Sequence, residues 1–210
     1  MNRISRFVVL VTAIASLAAV MSSTAGAVTW HNTGDTAFTA TAGAGTLAAT
    51  GVSLTCPSGT GTGTLGSAPT VGHTITVSGT VHYNGCLTAG IATTIECGYT
   101  LTGTSQTGST GHLVTSGNID VTCSLTQFGA KLCHIENHSP LTGSYANPTT
   151  NAAPGRLTVS AGVLRVTNGP TGSCPLGSND TATLTEQTFV VTTATGGPVP
   201  HTGPIVTRTA

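Results

Sequence analysis

The sequence predicts an all-β protein: a single antiparallel β-sandwich, immunoglobulin-like or similar, stapled by disulfides. Three observations carry that prediction. Apolar residues recur with period two along most of the chain, turn-forming Gly, Pro and Asn separate these runs, and the cysteines form an even set of six, three of them within such runs. Beyond residue 27, no stretch has the three-and-four apolar spacing of an amphipathic helix.

The period is clearest over residues 74–83. Ile75, Val77, Val81 and Tyr83 share one face, and Thr74, Thr76, Ser78, Thr80 and His82 share the other. The same alternation gives strands at Val52, Leu54 and Cys56, at Ile95, Cys97, Tyr99 and Leu101, and at Ile119, Val121, Cys123 and Leu125. In all three the cysteine shares the apolar face, as bridges within a core require. Further strands are expected at 36–42, 157–166 and 182–193, where Thr and Val suit a pleated surface. Pro57-Ser58-Gly59, Asn84-Gly85, Asn168-Gly169-Pro170 and Ser178-Asn179-Asp180 mark turns. The alternating Gly59-Thr60-Gly61-Thr62-Gly63 reads as a flexible hairpin tip or a glycine-weakened edge strand. It lacks the Lys-Ser/Thr of a phosphate loop.

Of 210 residues only 12 are charged, six Lys+Arg and six Asp+Glu. That 6 % compares with about 25 % in an average domain. It excludes a charged coiled coil, a basic nucleic-acid binder and a charge-rich disordered tail. With 44 threonines, solubility is expected to rest on hydroxyls.

Residues 1–27 have the three parts of a signal peptide. Arg3 and Arg6 are followed by an apolar run over 7–20 and then by Ala25-Gly26-Ala27, so cleavage is expected between Ala27 and Val28. The run is shorter than the ~20 residues of a bilayer-spanning helix. Cleavage leaves Lys131, Arg156, Arg165 and Arg208 against six acids, a net charge of −2. Such a weak field steers the chain toward neither phosphate nor anionic lipid. One sandwich domain over 28–195 is expected, then a flexible Pro/Gly-rich tail over 196–210 without a sorting motif. The mature chain is expected to be secreted, with no membrane span.

Cys56, Cys86, Cys97, Cys123, Cys133 and Cys174 form an even set without a C-x-x-C pair, so disulfides are expected rather than a metal centre. Six cysteines allow 15 connectivities. The sequential pairing 56–86, 97–123 and 133–174 is preferred, because each pair joins neighbouring segments.

The densest cluster of chemically capable residues is Cys133-His134-Ile135-Glu136-Asn137-His138. On a strand, His134, Glu136 and His138 would share one face, and two imidazoles with a carboxylate could hold zinc. The expectation is nevertheless a polar outer face with no metal, beside inward Cys133, Ile135 and Asn137. No Gly-x-Ser-x-Gly elbow exists, and the six acids are too dispersed for a glycosidase pair. Asn137-His138-Ser139 and Asn179-Asp180-Thr181 match the N-glycosylation pattern, which here is read as coincidence. Trp30, the single tryptophan, is expected to plug one end of the fold.

Leu54-Thr55-Cys56, Asn84-Gly85-Cys86, the middle cysteine pair and Leu141-Thr142-Gly143-Ser144-Tyr145 together resemble small secreted actinobacterial proteins rich in Thr, Gly and Ala, with four or six cysteines and no assigned function. The resemblance implies a secreted β-protein and carries over no active site. The leading expectation is therefore a non-enzymatic extracellular binding or structural module without cofactor, its partner and oligomeric state open. The alternatives are a small-ligand carrier of the chromoprotein type and an extracellular hydrolase. A carrier should line a pocket with aromatics, and the mature chain offers only Trp30, Phe38, Tyr83, Tyr99, Phe128, Tyr145 and Phe189.

Overall fold

A threonine alternating with a branched apolar residue favours extended backbone, because one face can then be buried while the other stays wetted. The computed structural model describes residues 28–33, 36–66, 70–71, 74–109, 112–149, 153–193 and 205–209. The expected signal peptide, 1–27, lies outside them. Among the described residues every regular element is a strand: β1 (Thr29–Thr33), β2 (Ala37–Ala42), β3 (Gly45–Ala49), β4 (Val52–Cys56), β5 (Ser58–Leu65), β6 (Thr70–Val71), β7 (Ile75–Thr88), β8 (Ile91–Thr107), β9 (Val114–Gln127), β10 (Ala130–Asn137), β11 (Leu141–Ala146), β12 (Gly155–Val159), β13 (Gly162–Asn168), β14 (Asp180–Leu184), β15 (Gln187–Thr193) and β16 (Ile205–Thr209).

The expected disulfide-stapled antiparallel all-β fold is what the chain forms, and its strand pairing closes on itself. Strands β2 to β5 and β7 to β15 form one sheet of 13 strands, all pairs antiparallel. Ten of these are halves of interrupted strands: β2 with β3, β4 with β5, β10 with β11, β12 with β13 and β14 with β15. Counted with the continuous β7, β8 and β9, they give eight staves. Each stave pairs with its neighbours in sequence, and the last pairs with the first through β15–β2 and β14–β3. The result is an eight-stranded up-and-down barrel, so the sheet has no free edge. Hairpins between neighbours replace the crossover connections that an immunoglobulin-like chain would need.

Two of the interruptions have a local cause in proline. Pro57 and Pro140 cannot donate to a ladder, and they separate β4 from β5 and β10 from β11. The expected strands 157–166 and 182–193 are each broken for two residues, at 160–161 and 185–186. At the β10/β11 break the Asn137 carboxamide takes over the missing pairing to β9. Its Oδ1 accepts from the Val121 amide (2.9 Å) and its Nδ2 donates to the Ile119 carbonyl (2.8 Å). At the β14/β15 break Thr185 donates from both its amide and its hydroxyl to the Thr46 carbonyl, each at 3.2 Å.

The glycine-threonine run is neither a hairpin tip nor an edge. It forms β5, bonded on one side to β2 and on the other to β7. Its threonines point outward and its glycines inward. A Cβ on Gly63 would collide with the Phe38 ring, and one on Gly59 would lie 2.8 Å from Tyr83 and Val81. Glycine here makes room for larger side chains on neighbouring staves.

Inside, Val77, Leu101, Ile119, Val121, Leu125, Ile135, Val159, Leu164, Val166 and Val191 are buried in one continuous core. Each such side chain contributes about 1.5–3 kcal/mol. Outside, the flank is hydroxyl-rich, with Thr60, Thr62, Thr76 and Thr122 exposed. This is the reverse of a transmembrane barrel, whose outer band is apolar. Among the described residues no helix is long and apolar enough to cross a membrane.

A small sheet of β16, β1 and β6 sits at one end of the barrel. Asn147 holds Val206 through both backbone groups (2.6 and 3.0 Å), and Gln106 bonds the Val206 carbonyl and the Arg208 amide (both 2.9 Å). Trp30 is fully buried there, with the Arg208 guanidinium 5.7 Å from its ring centre. The expected flexible tail is thus corrected for 205–209, a strand paired along all of β1. Burial of Val206 holds it in place. Residues 194–204 and 210 lie outside the described set.

Candidate functional site

The cysteines pair as 56–86, 97–123 and 133–174, the preferred sequential pattern, with Cα atoms 4.0–4.7 Å apart. Cys97 and Cys123 face each other in register on β8 and β9. The third bridge ties the loop between β13 and β14 to β10. Leu176 of that loop is buried in the barrel core, and the Asn168 side chain accepts from the Cys174 amide (3.0 Å). Three disulfides fit an oxidising environment.

The barrel interior holds an apolar cavity of about 40 Å³, lined by Leu47, Leu54, Ile95, Val121, Leu164, the rings of Tyr83 and Tyr99, and Gln187. The two tyrosine hydroxyls lie 3.3 Å apart, and the Tyr99 ring is tilted against Phe189 with centres 4.9 Å apart. Burial raises both phenols above their ordinary pKa, Tyr99 the more strongly. By volume the space is no larger than a water or two, and its lining is almost wholly apolar. A drug-sized ligand needs a pocket of about 300–1,000 Å³.

His134 and Glu136 share the outer face of β10, as the alternation requires, with Nε2 and Oε2 3.5 Å apart and both side chains nearly half exposed. His138 does not join them. The strand ends at Asn137, and His138 lies in the break before β11, at a cleft shared with Asn118, Asp120 and Ser139. Among the described residues no three His, Cys, Asp or Glu side chains are grouped for a metal ion. A second imidazole–carboxylate pair, His82 and Glu96 (3.3 Å), is more exposed still. Asn137 of the first glycosylation pattern is occupied by its bonds to β9.

The most unusual surface is the rim opposite Trp30. The β7–β8 and β9–β10 hairpins each turn through two residues, Ala89-Gly90 and Phe128-Gly129, all four with positive φ (49°, 81°, 50° and 80°). Two successive positive φ values define the primed hairpin turn, for which Asn-Gly is the favoured pair. Phe128 instead holds a bulky ring in the left-handed region and is 89 % exposed. Leu87 and Ile91 beside the other turn are 49 % and 44 % exposed. Immediately beneath lie three buried polar side chains, linked in a chain. Gln127 Nε2 donates to Thr93 Oγ1 (3.3 Å), which donates to Thr88 Oγ1 (3.2 Å). Sequence reasoning missed this rim, because Phe128 was counted among the aromatics available to a core or pocket. The available signal was Phe-Gly at the two-residue turn between β9 and β10.

No protein-family model, curated protein or solved structure matches the chain.

Proposed function

We propose that the protein is an exported, non-catalytic binding module, working outside the cytoplasm, whose contact surface is the hairpin rim carrying Phe128. One observation carries this reading: an 89 % exposed phenylalanine held at positive φ, where a small polar residue would cost less in both conformation and hydration. Strain that persists at an exposed position is a mark of function. The leader-like residues 1–27 and the three disulfides support export. The interior cavity of about 40 Å³ leaves no room for a chromophore inside the barrel, and the half-exposed His134–Glu136 pair offers no enclosed place for hydrolysis.

The test is cell fractionation. In cells making the full chain, the wild type should stay with the envelope, and the Phe128→Gly variant should move to the medium while keeping its β-type circular dichroism. Identical distribution of the two would refute the rim as the contact surface.

A further inference from the structure

We propose that the rim dips into a lipid surface containing anionic phospholipid; this rests on the rim being the contact surface and names what it contacts. Over most of the barrel, apolar side chains face inward and hydroxyls outward. At the β7–β8 and β9–β10 hairpins the order is reversed. Thr88, Thr93 and Gln127 are buried inside, while Leu87, Ile91 and Phe128 are exposed outside. Apolar-out and polar-in is the arrangement of a barrel wall immersed in hydrocarbon.

The geometry favours a soft surface over a shaped protein partner. The apolar groups stand on two separate tips, held side by side by the Gln127–Thr93 bond. Both tips are two-residue turns, so little chain entropy is lost when they are immobilised. Phe128 is the most exposed of the three, at 89 % against 49 % for Leu87 and 44 % for Ile91.

The charge nearby is of the matching sign. Lys131, the single lysine of the sequence, is exposed three residues from Phe128. At that depth an ammonium can stay at the headgroup level while its stem lies along the apolar tip. Asp180, the acid at this end, keeps its charge while accepting from the Thr181 amide (2.8 Å), but it stands on β14, two strands from the Phe128 turn, whereas Lys131 adjoins that turn. The net charge of −2 gives no long-range steering to such a surface, so the apolar tips supply most of the attachment and Lys131 adds only a local preference for anionic headgroups.

The test is co-sedimentation of the purified exported chain with vesicles of phosphatidylcholine alone and of phosphatidylcholine with one-third phosphatidylglycerol. Binding to both is expected, several-fold tighter to the anionic vesicles. Phe128→Gly should weaken binding to both by about tenfold or more, the loss of one buried aromatic. Lys131→Gln should remove about fivefold, on the anionic vesicles only. Circular dichroism of each variant confirms that it is folded. The lipid assignment is overturned if the wild type sediments with neither vesicle, or if Phe128→Gly sediments as well as the wild type. It is also overturned if the protein alone forms a Phe128-dependent dimer. Envelope retention that depends on Phe128, without vesicle binding, would keep the rim as the contact surface and make its partner a protein.

Discussion

The hydroxyls of Tyr83 and Tyr99 meet 3.3 Å apart inside the barrel, across the ladder of β7 and β8. With Tyr145 they are all the tyrosines of the chain, and burial raises the pKa of each. A group whose folded pKa exceeds its unfolded value of about 10 adds stability that is complete below that pH and is lost as pH rises through the folded pKa. The melting temperature should therefore not respond to these groups between about pH 7 and 9, and should fall above about pH 10. Phenolate absorbance should rise together with unfolding. A phenolate step near its ordinary pH in the folded protein would contradict this.

Asn137→Ala should be costly for a residue at a strand end. It would leave the Val121 amide and the Ile119 carbonyl without the partners they have at the β10/β11 break. The expected loss is about 1–3 kcal/mol in urea unfolding. His134→Ala on the same strand should change stability by no more than about 0.5 kcal/mol. Equal effects would show that the carboxamide does not bridge the break.

Zinc should leave the melting temperature unchanged, since His138 lies apart from His134 and Glu136. A folded-state site at 100 times its dissociation constant would add about 2.7 kcal/mol. A zinc-dependent rise abolished by His134→Ala would instead make metal-assisted hydrolysis the leading function.

The exported chain should start at Val28 and weigh six hydrogens less than its reduced form, one pair for each of the three bridges. Cys133→Ser with Cys174→Ser should cost about 3–4 kcal/mol, because that bridge closes a separation of 41 residues. It should also open the 169–179 loop to proteases before the rest of the barrel. Cleavage elsewhere first would show that the bridge does not hold this loop over the barrel end.

Phe128→Gly should raise thermal stability, the opposite of what removing an aromatic does in a core. Relief of the left-handed backbone outweighs the added freedom of glycine by up to about 1 kcal/mol. A lower melting temperature would mean that the ring contributes packing to the hairpin.

The strands could be read from the sequence because a threonine beside a valine, as at 76–77, records which face is wet. The cysteine pairing followed because each sequential pair joins neighbouring segments, as Cys97 on β8 and Cys123 on β9 do. Closure left no such record. That β15 bonds β2 depends on barrel geometry, and no single residue of either strand announces it. The β5 glycines misled because their inward position depends on Phe38 and Tyr83, which stand on other staves. At the rim the apolar-in rule itself reverses, so Phe128 was counted only among the aromatics that a pocket could use.

Because the ring closes between its first and last staves, Thr39 and Thr192, 153 residues apart in sequence, have to meet before it is complete. Such distant pairing makes folding slow. Until β15 arrives, the nascent sheet exposes two unpaired borders that could recruit another chain. A chain threaded through an export channel from its beginning would release this final stave late. It would thus stay unlocked during passage and set only on the far side, where the cysteines can also oxidise.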